Sequence, residues 1–245
     1  MMIPTVLILG AGSDMAVAIA RKFAANNYAI QLAARKPELL HAQEQDLRIR
    51  HNVAVTSHGF DALDFESHVS FFQSLPVKPD VVICVFGYLG DQEKGQNDWQ
   101  EASRILHTNY TGAVSILNVV AEDMAARKTG TIIGISSVAG DRGRMSNYLY
   151  GSAKAGFTAY LSGLRNRLFH AGVHVMSVQP GFVNTRMTEG LTLPPLLTAQ
   201  PEEVANDIFK AASKKKNVVY SKWFWRYIML IITSIPEFIF KKLKL

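Results

Sequence analysis

Short apolar runs recur along this chain, each followed by a stretch with helical spacing, and no other feature of the sequence restricts the fold as much. Runs of about four to eight residues without polar alternation suit strands buried on both faces, the condition of a parallel sheet covered by helices. Strands are expected at 5–9, 29–33, 53–58, 81–86, 131–136, 173–179 and 218–220, and the long helices near 99–126 and 147–170. Right-handed crossovers then give an α/β, Rossmann-type doubly wound sheet of about seven strands with helices on both faces and a ligand crevice at the strands' carboxyl ends. Residues 1–221 read as one domain and residues 222–245 as a C-terminal amphipathic extension.

The first strand runs into Gly10-Ala11-Gly12-Ser13-Asp14-Met15-Ala16, where a helix starts. Glycines at such a turn let the backbone approach a pyrophosphate, whose charge is met by the helix N-terminus. Gly10, Gly12, Ser13, Asp14 and Met15 are therefore candidate dinucleotide contacts. A carboxylate beside a diphosphate repels it, so Asp14 is expected to cap the helix and point into solvent. Strand two ends in Ala33-Ala34-Arg35-Lys36, without the acid that would bind the ribose hydroxyls of NAD. Arg35 can instead pair with the adenosine phosphate that distinguishes NADP, helped by Ser13 or Lys36, which favours NADPH.

Strand five delivers Ser136 and Ser137, and the next helix carries Tyr150 and Lys154 at i and i+4, on one face. A neighbouring ammonium favours a phenolate, so Lys154 is expected to lower the Tyr150 pKa and prepare it to donate a proton to a ketone oxygen that Ser137 positions. Tyr148 lacks the spacing to Lys154. Together Ser137, Tyr-x-x-x-Lys and the glycine turn resemble the short-chain dehydrogenase/reductase family from Val6 to about Tyr220. Two of the family's three loop glycines are replaced, by Asp14 and Ala16, and Cys84-Val85-Phe86-Gly87 stands where the family has Asn-Asn-Ala-Gly.

The resemblance implies further roles. Asn109 would hold a water linking Lys154 to solvent, making Asn109, Ser137, Tyr150 and Lys154 the catalytic set. Asp61 and Ala62 would meet the adenine, with Asp64 the better cap for the helix from Phe65, and Phe86 and Gly87 would line the cofactor. Pro180, Gly181, Val183 and Thr185 would cradle the nicotinamide, and residues 186–199, rich in Thr, Leu and Pro, would form a mobile lid. Family members commonly pair their long helices between subunits, which implies a homo-oligomer. No metal is expected.

Net charge is +6, and the excess gathers late, at Lys214, Lys215, Lys216, Lys222, Arg226, Lys241, Lys242 and Lys244. With no basic stripe interleaved with aromatics in the body of the chain, nucleic acid is not expected as a partner. The basic, aromatic stretch from Trp223 to Phe240 is too short and too interrupted, by Arg226, Pro236 and Glu237, to cross a bilayer. It suits a segment lying in the headgroup layer, or one packed on another subunit. The lone cysteine, Cys84, sits in an apolar strand and reads as an inert buried thiol. Met1-Met2-Ile3-Pro4-Thr5 has no charged leader, so a cytoplasmic protein, peripheral on the membrane's inner face, is expected.

The tail and the segment 80–91 resemble the family's branch that reduces a decaprenylphosphoryl-linked 2-keto-pentose to the arabinose form, in complex with an oxidase. That implies a lipid-linked ketone substrate, with Arg142, Arg144 or Arg186 near its phosphate or simply solvated. Reduction of a fatty-acyl or sphingoid ketone, and a non-catalytic NADP-binding interaction protein, are the alternatives.

Overall fold

The structure, a computed structural model, describes residues 3–243. Met1, Met2, Lys244 and Leu245, part of the expected uncharged N-terminus and basic tail, lie outside the described residues. The chain alternates as expected through β1 (Thr5–Leu9), α1 (Asp14–Ala24), β2 (Ala29–Ala34), α2 (His41–His51), β3 (Val55–Gly59), α3 (Ser67–Ser74) and β4 (Val81–Cys84). It continues with α4 (Gln92–Asn97), α5 (Trp99–Leu106), α6 (Gly112–Arg127), β5 (Thr131–Ile135), α7 (Tyr148–Phe169) and β6 (His174–Pro180). A small pair, β7 (Phe182–Val183) and β8 (Thr198–Ala199), precedes α8 (Pro201–Ser213), β9 (Val218–Ser221), α9 (Trp225–Ser234) and α10 (Glu237–Phe240).

The main sheet has seven strands in the order β3-β2-β1-β4-β5-β6-β9, and every neighbouring pair is parallel. Strand order reverses between β1 and β4, so the crevice opens above their carboxyl ends. The sequence shows why the strands carry no polar alternation. Val6 and Ile8 pack on one side with Ile19, Phe23 and Ile208, while Leu7 and Leu9 pack on the other with Ile116, Phe157 and Leu161. Phe157 is 1% exposed, and cutting such a side chain to Ala costs about 3–5 kcal/mol.

Differences from the expected boundaries have local causes. β3 starts at Val55 rather than 53 because Asn52 closes α2 in the left-handed region (φ 51°) and the chain needs two residues to rejoin the sheet. Val85 still donates to Leu9 O (3.0 Å), but Phe86 leaves the sheet to cover the glycine turn. The helix expected at 99–126 is divided by a π-helical segment, His107–Thr111, between α5 and α6. Asn109 sits in that segment and is buried. Its Nδ2 donates to Ile105 O (2.8 Å) and Tyr88 O (2.6 Å), and its Oδ1 accepts from Tyr88 N (3.1 Å). The widened turn and the side chain that spans it together clamp the loop after β4.

The tail folds back on the domain. Trp225 and Met229, 4% and 2% exposed, bury against Val138, with Phe182, Leu197 and Ile232 around them. Trp225 Nε1 donates to Leu197 O (3.1 Å). Arg142 Nη1 caps the end of α9, donating to the carbonyls of Ile232 (2.7 Å) and Ile235 (2.6 Å), and its Nη2 pairs with Glu237 (2.9 Å). The opposite face leaves Trp223, Tyr227, Leu230, Ile231 and Phe238 exposed. No helix among the described residues is long and apolar enough to cross a membrane.

Candidate active site

Two cavities meet at the carboxyl ends of the strands. The first, 430 Å3, runs over the glycine turn, and the second, 630 Å3, lies between β5, α7 and the segment after β6. Met15, Val85, Phe86, Gly87, Thr185 and Met187 line both, so the two form one crevice.

In the first cavity the structure gathers Gly10, Gly12, Ser13, Asp14, Met15, Arg35, Asp61, Ala62, Phe86, Gly87 and Thr185, as the sequence leads one to expect. Gly10 has φ +94°, and a Cβ there would lie 2.7 Å from the Phe86 backbone nitrogen, so no other residue fits without displacing the loop. Arg35 is exposed at the cavity edge and makes no hydrogen bond among the described residues. Leu63, Arg104 and Thr108 also contribute to the walls, and sequence reasoning missed them because they come from a loop and a helix that carry no phosphate-binding motif.

Two carboxylates depart from expectation. Ser13, not Asp14, caps α1: its extended backbone (φ −87°, ψ 155°) lets Oγ accept from Ala16 N at 3.2 Å. Asp14 occupies the first turn and takes Arg186 instead, through the Arg186 backbone N (2.8 Å) and Nε (3.0 Å), while Arg186 Nη2 donates to Gly12 O (2.6 Å). The pair neutralises the carboxylate that would repel a diphosphate. Asp64 does not cap through its side chain, because α3 starts only at Ser67 and its Oγ and N bond the Asp64 carbonyl (2.8 and 3.1 Å). Asp61 Oδ1 accepts from Leu63 N (3.0 Å) and fixes the turn beside Ala62.

In the second cavity Ser137, Tyr150 and Lys154 converge with Pro180, Gly181, Val183 and Thr185. Ser136 Oγ accounts for the fit of α7 onto β5, since it bonds Lys154 O (2.9 Å) and Thr158 Oγ1 (2.6 Å). Lys154 Nζ, buried, donates to Ile135 O (3.0 Å) and lies 5.7 Å from the Tyr150 ring centre. A Cβ on Gly87 would be 3.0 Å from Asn109 Oδ1 and 3.6 Å from Lys154 Nζ, so both side chains lie beneath Gly87. Asn109 lines neither cavity. With both amide hydrogens committed to the protein, its Oδ1 keeps one acceptor position that a water could use.

The expected acidification of Tyr150 is not found. Burial pushes its phenol up to about 12, against the pull of the Ser137 hydroxyl. Burial likewise pushes the Lys154 ammonium down to about 8. The physical reason is desolvation, which penalises each charged form and is opposed at Tyr150 by the Ser137 hydroxyl and at Lys154 by Cys84. Tyr150 thus stays protonated at neutral pH, with the Lys154 ammonium 5.7 Å from its ring centre. Cys84, fully buried, has its thiol pushed up to about 12 by burial, which makes it inert as expected.

Of the three arginines expected near the substrate or in solvent, Arg142 caps the tail and Arg186 holds Asp14, so both are engaged. Arg144 lines the second cavity. Gly181 adjoins the tail: a Cβ on it would fall 2.0 Å from the Trp225 ring, and the indole closes one wall of the cavity. The residues 186–199 are rooted by β7 pairing with β8 and carry two short 3-10 turns.

A family model described as short chain dehydrogenase matches residues 4–194. An uncharacterized oxidoreductase of Mycobacterium tuberculosis (strain ATCC 25618 / H37Rv) is 37% identical over 241 residues, 97% of this chain and 96% of the relative. A short-chain dehydrogenase from Sphingobium yanoikuyae, solved in complex with NADPH, superimposes with a TM-score of 0.81 at 23% identity, covering 96% of this chain and 97% of that one. An actinorhodin polyketide ketoreductase with NADPH gives 0.80 at 21% identity, over 91% of this chain and 97% of the other.

Proposed function

This chain belongs to the short chain dehydrogenase family of oxidoreductases, and from that membership we propose that it is an NADPH-dependent ketone reductase. The observation that carries the reading is the common wall of the two cavities, which sets a nucleotide-sized crevice against Ser137, Tyr150 and Lys154. The first cavity fits the cofactor: Gly10 admits a close backbone approach, the Asp14 charge is neutralised, and Arg35 stands free for the 2′-phosphate. NADPH supplies a hydride when bound. Ser137 holds the carbonyl oxygen, Tyr150 Oη gives it a proton as negative charge develops there, and the Lys154 ammonium stabilises the phenolate that remains. Asn109 fixes the loop bearing Gly87 and offers Oδ1 to a water beside Lys154.

We further infer that the substrate is lipid-linked, the 2-keto group of a polyprenyl-phosphate pentose. Support comes from the tail, whose inner face walls the cavity while its outer face couples exposed apolar residues to Arg226, Lys241 and Lys242, a composition suited to anionic headgroups. Incubating the protein and NADPH with a polyprenyl-phosphoryl 2-keto-pentose, beside a long-chain ketone, should consume NADPH with the sugar. Preference for the long-chain ketone would transfer the reading to a fatty ketone reductase. Glutamates in place of Leu230 and Ile231 should release the protein from anionic liposomes, and unchanged partition would remove the membrane from the account.

A further inference from the structure

Asp14 and Arg186 lie 172 residues apart, and three contacts fasten Arg186 to the glycine turn. Arg186 N and Nε donate to the two carboxylate oxygens of Asp14 (2.8 and 3.0 Å), and Nη2 donates to Gly12 O (2.6 Å). Both residues line the first cavity. The contacts hold the guanidinium by one edge. Of its five N–H hydrogens, three have no partner among the described residues, and the side chain is 67% exposed. An ion pair so open to solvent adds little to stability, so stability does not account for a contact of this reach.

The charge it meets at the turn does. Ser13 accepts from Ala16 N through Oγ and from Val17 N through its carbonyl, which leaves the amides of Asp14 and Met15 without an acceptor among the described residues. A diphosphate laid over the turn meets those amides and the positive end of α1. It also meets the Asp14 carboxylate, which repels it. Of the arginines lining the cavity, Arg35 follows β2 and Arg104 belongs to α5, whereas Arg186 is bonded to the turn itself. Arg186 also stands between Thr185 and Met187, which line both cavities, so the pair ties their shared wall to the start of α1.

We propose that Arg186 is a ligand of the cofactor diphosphate, held over the glycine turn by Asp14, and that the two charges work as one unit where the family has a glycine. Asp14 orients the guanidinium and shares its charge. Arg186 cancels the carboxylate and donates its unpaired hydrogens to the phosphate oxygens. The acid that looks hostile to the cofactor thereby sets how tightly it is held. This assignment rests on the NADPH reading and names, within it, the side chain that meets the diphosphate.

Titration calorimetry of the full chain with NADPH, and with 2′-AMP, which carries the adenosine phosphate but no diphosphate, separates the roles. Arg186→Gln, which leaves the carboxylate unpaired, should weaken NADPH by about tenfold or more while 2′-AMP stays within about twofold of the wild type. Arg186→Lys keeps the charge without the planar fork and should recover part of the loss. Asp14→Asn should tighten NADPH by about threefold or more, since the cation is no longer shared. The double substitution should bind NADPH better than Arg186→Gln alone. If Asp14→Asn weakens NADPH as Arg186→Gln does, the pair merely fastens the segment after β7 and the proposal falls, and this arm decides even where Arg186→Gln does not fold. The proposal also falls if Arg186→Gln weakens both ligands alike or neither. A wild type that binds neither ligand overturns the NADPH reading along with it.

Discussion

The two halves of the crevice are built on different plans. On the nucleotide side the loop side chains satisfy one another: Ser13 caps α1, Asp61 closes its own turn and Asp14 holds Arg186. On the substrate side Arg144, Gln92 and Asn147 each bury one polar atom that has no partner among the described residues. The first half is drawn mostly from turns at the ends of β1 to β4, joined by Arg104, Thr108 and the segment Thr185 to Met187. The second is assembled from α4, the loop before α7 and the tail, segments far apart along the chain.

The largest expected effect sits where the halves join. Tyr150→Phe should cut ketone reduction by about two to four orders of magnitude while NADPH binding, measured by fluorescence, persists. Equal loss of nucleotide affinity would show that the halves are not separable. On the substrate side alone, Trp225→Ala removes a wall that is 4% exposed and should destabilise the protein by about 3–5 kcal/mol, read from denaturant unfolding. If stability is unchanged, the tail is an appendage and the comparison loses its second half. On the nucleotide side, Arg35→Ala should reduce the preference for NADPH over NADH by about tenfold or more, and an unchanged ratio would mean that the adenosine phosphate lies elsewhere.

The smallest effect is in pH. Burial pushes Lys154, usually near 10.5, down to about 8, so the ammonium proposed to steady the Tyr150 phenolate is present below that value and lost above it. Reduction should therefore decline as pH rises through about 8, by about twofold at the midpoint. Stability moves the other way. Between about 8 and 10.5 the unfolded chain keeps a proton that the folded protein has released, so this group's contribution to stability grows as pH rises. A flat rate profile across that range would remove Lys154 from the chemistry.

Much of this was legible in the sequence for a physical reason. Strands buried on both faces must be apolar throughout, so β1, β4 and β5 announce themselves, and Tyr150 and Lys154 share a helix face by spacing alone. Three features were hidden. Asp14 lost the cap to Ser13 because capping depends on backbone angles that composition does not reveal. The phenol pKa went up because burial is a property of the assembled fold. Trp225 looked like lipid contact, and only packing against Gly181 distinguishes an apolar residue that faces inward from its neighbours that face out.

The loop between β5 and α7 has a mechanical consequence. Arg142 is bolted to the carbonyls that end α9, and two residues further on Arg144 reaches the cavity. Arg144 also touches Met229 of α9, so the loop fastens the cavity wall to the tail at two points, and any displacement of α9 is felt at that wall.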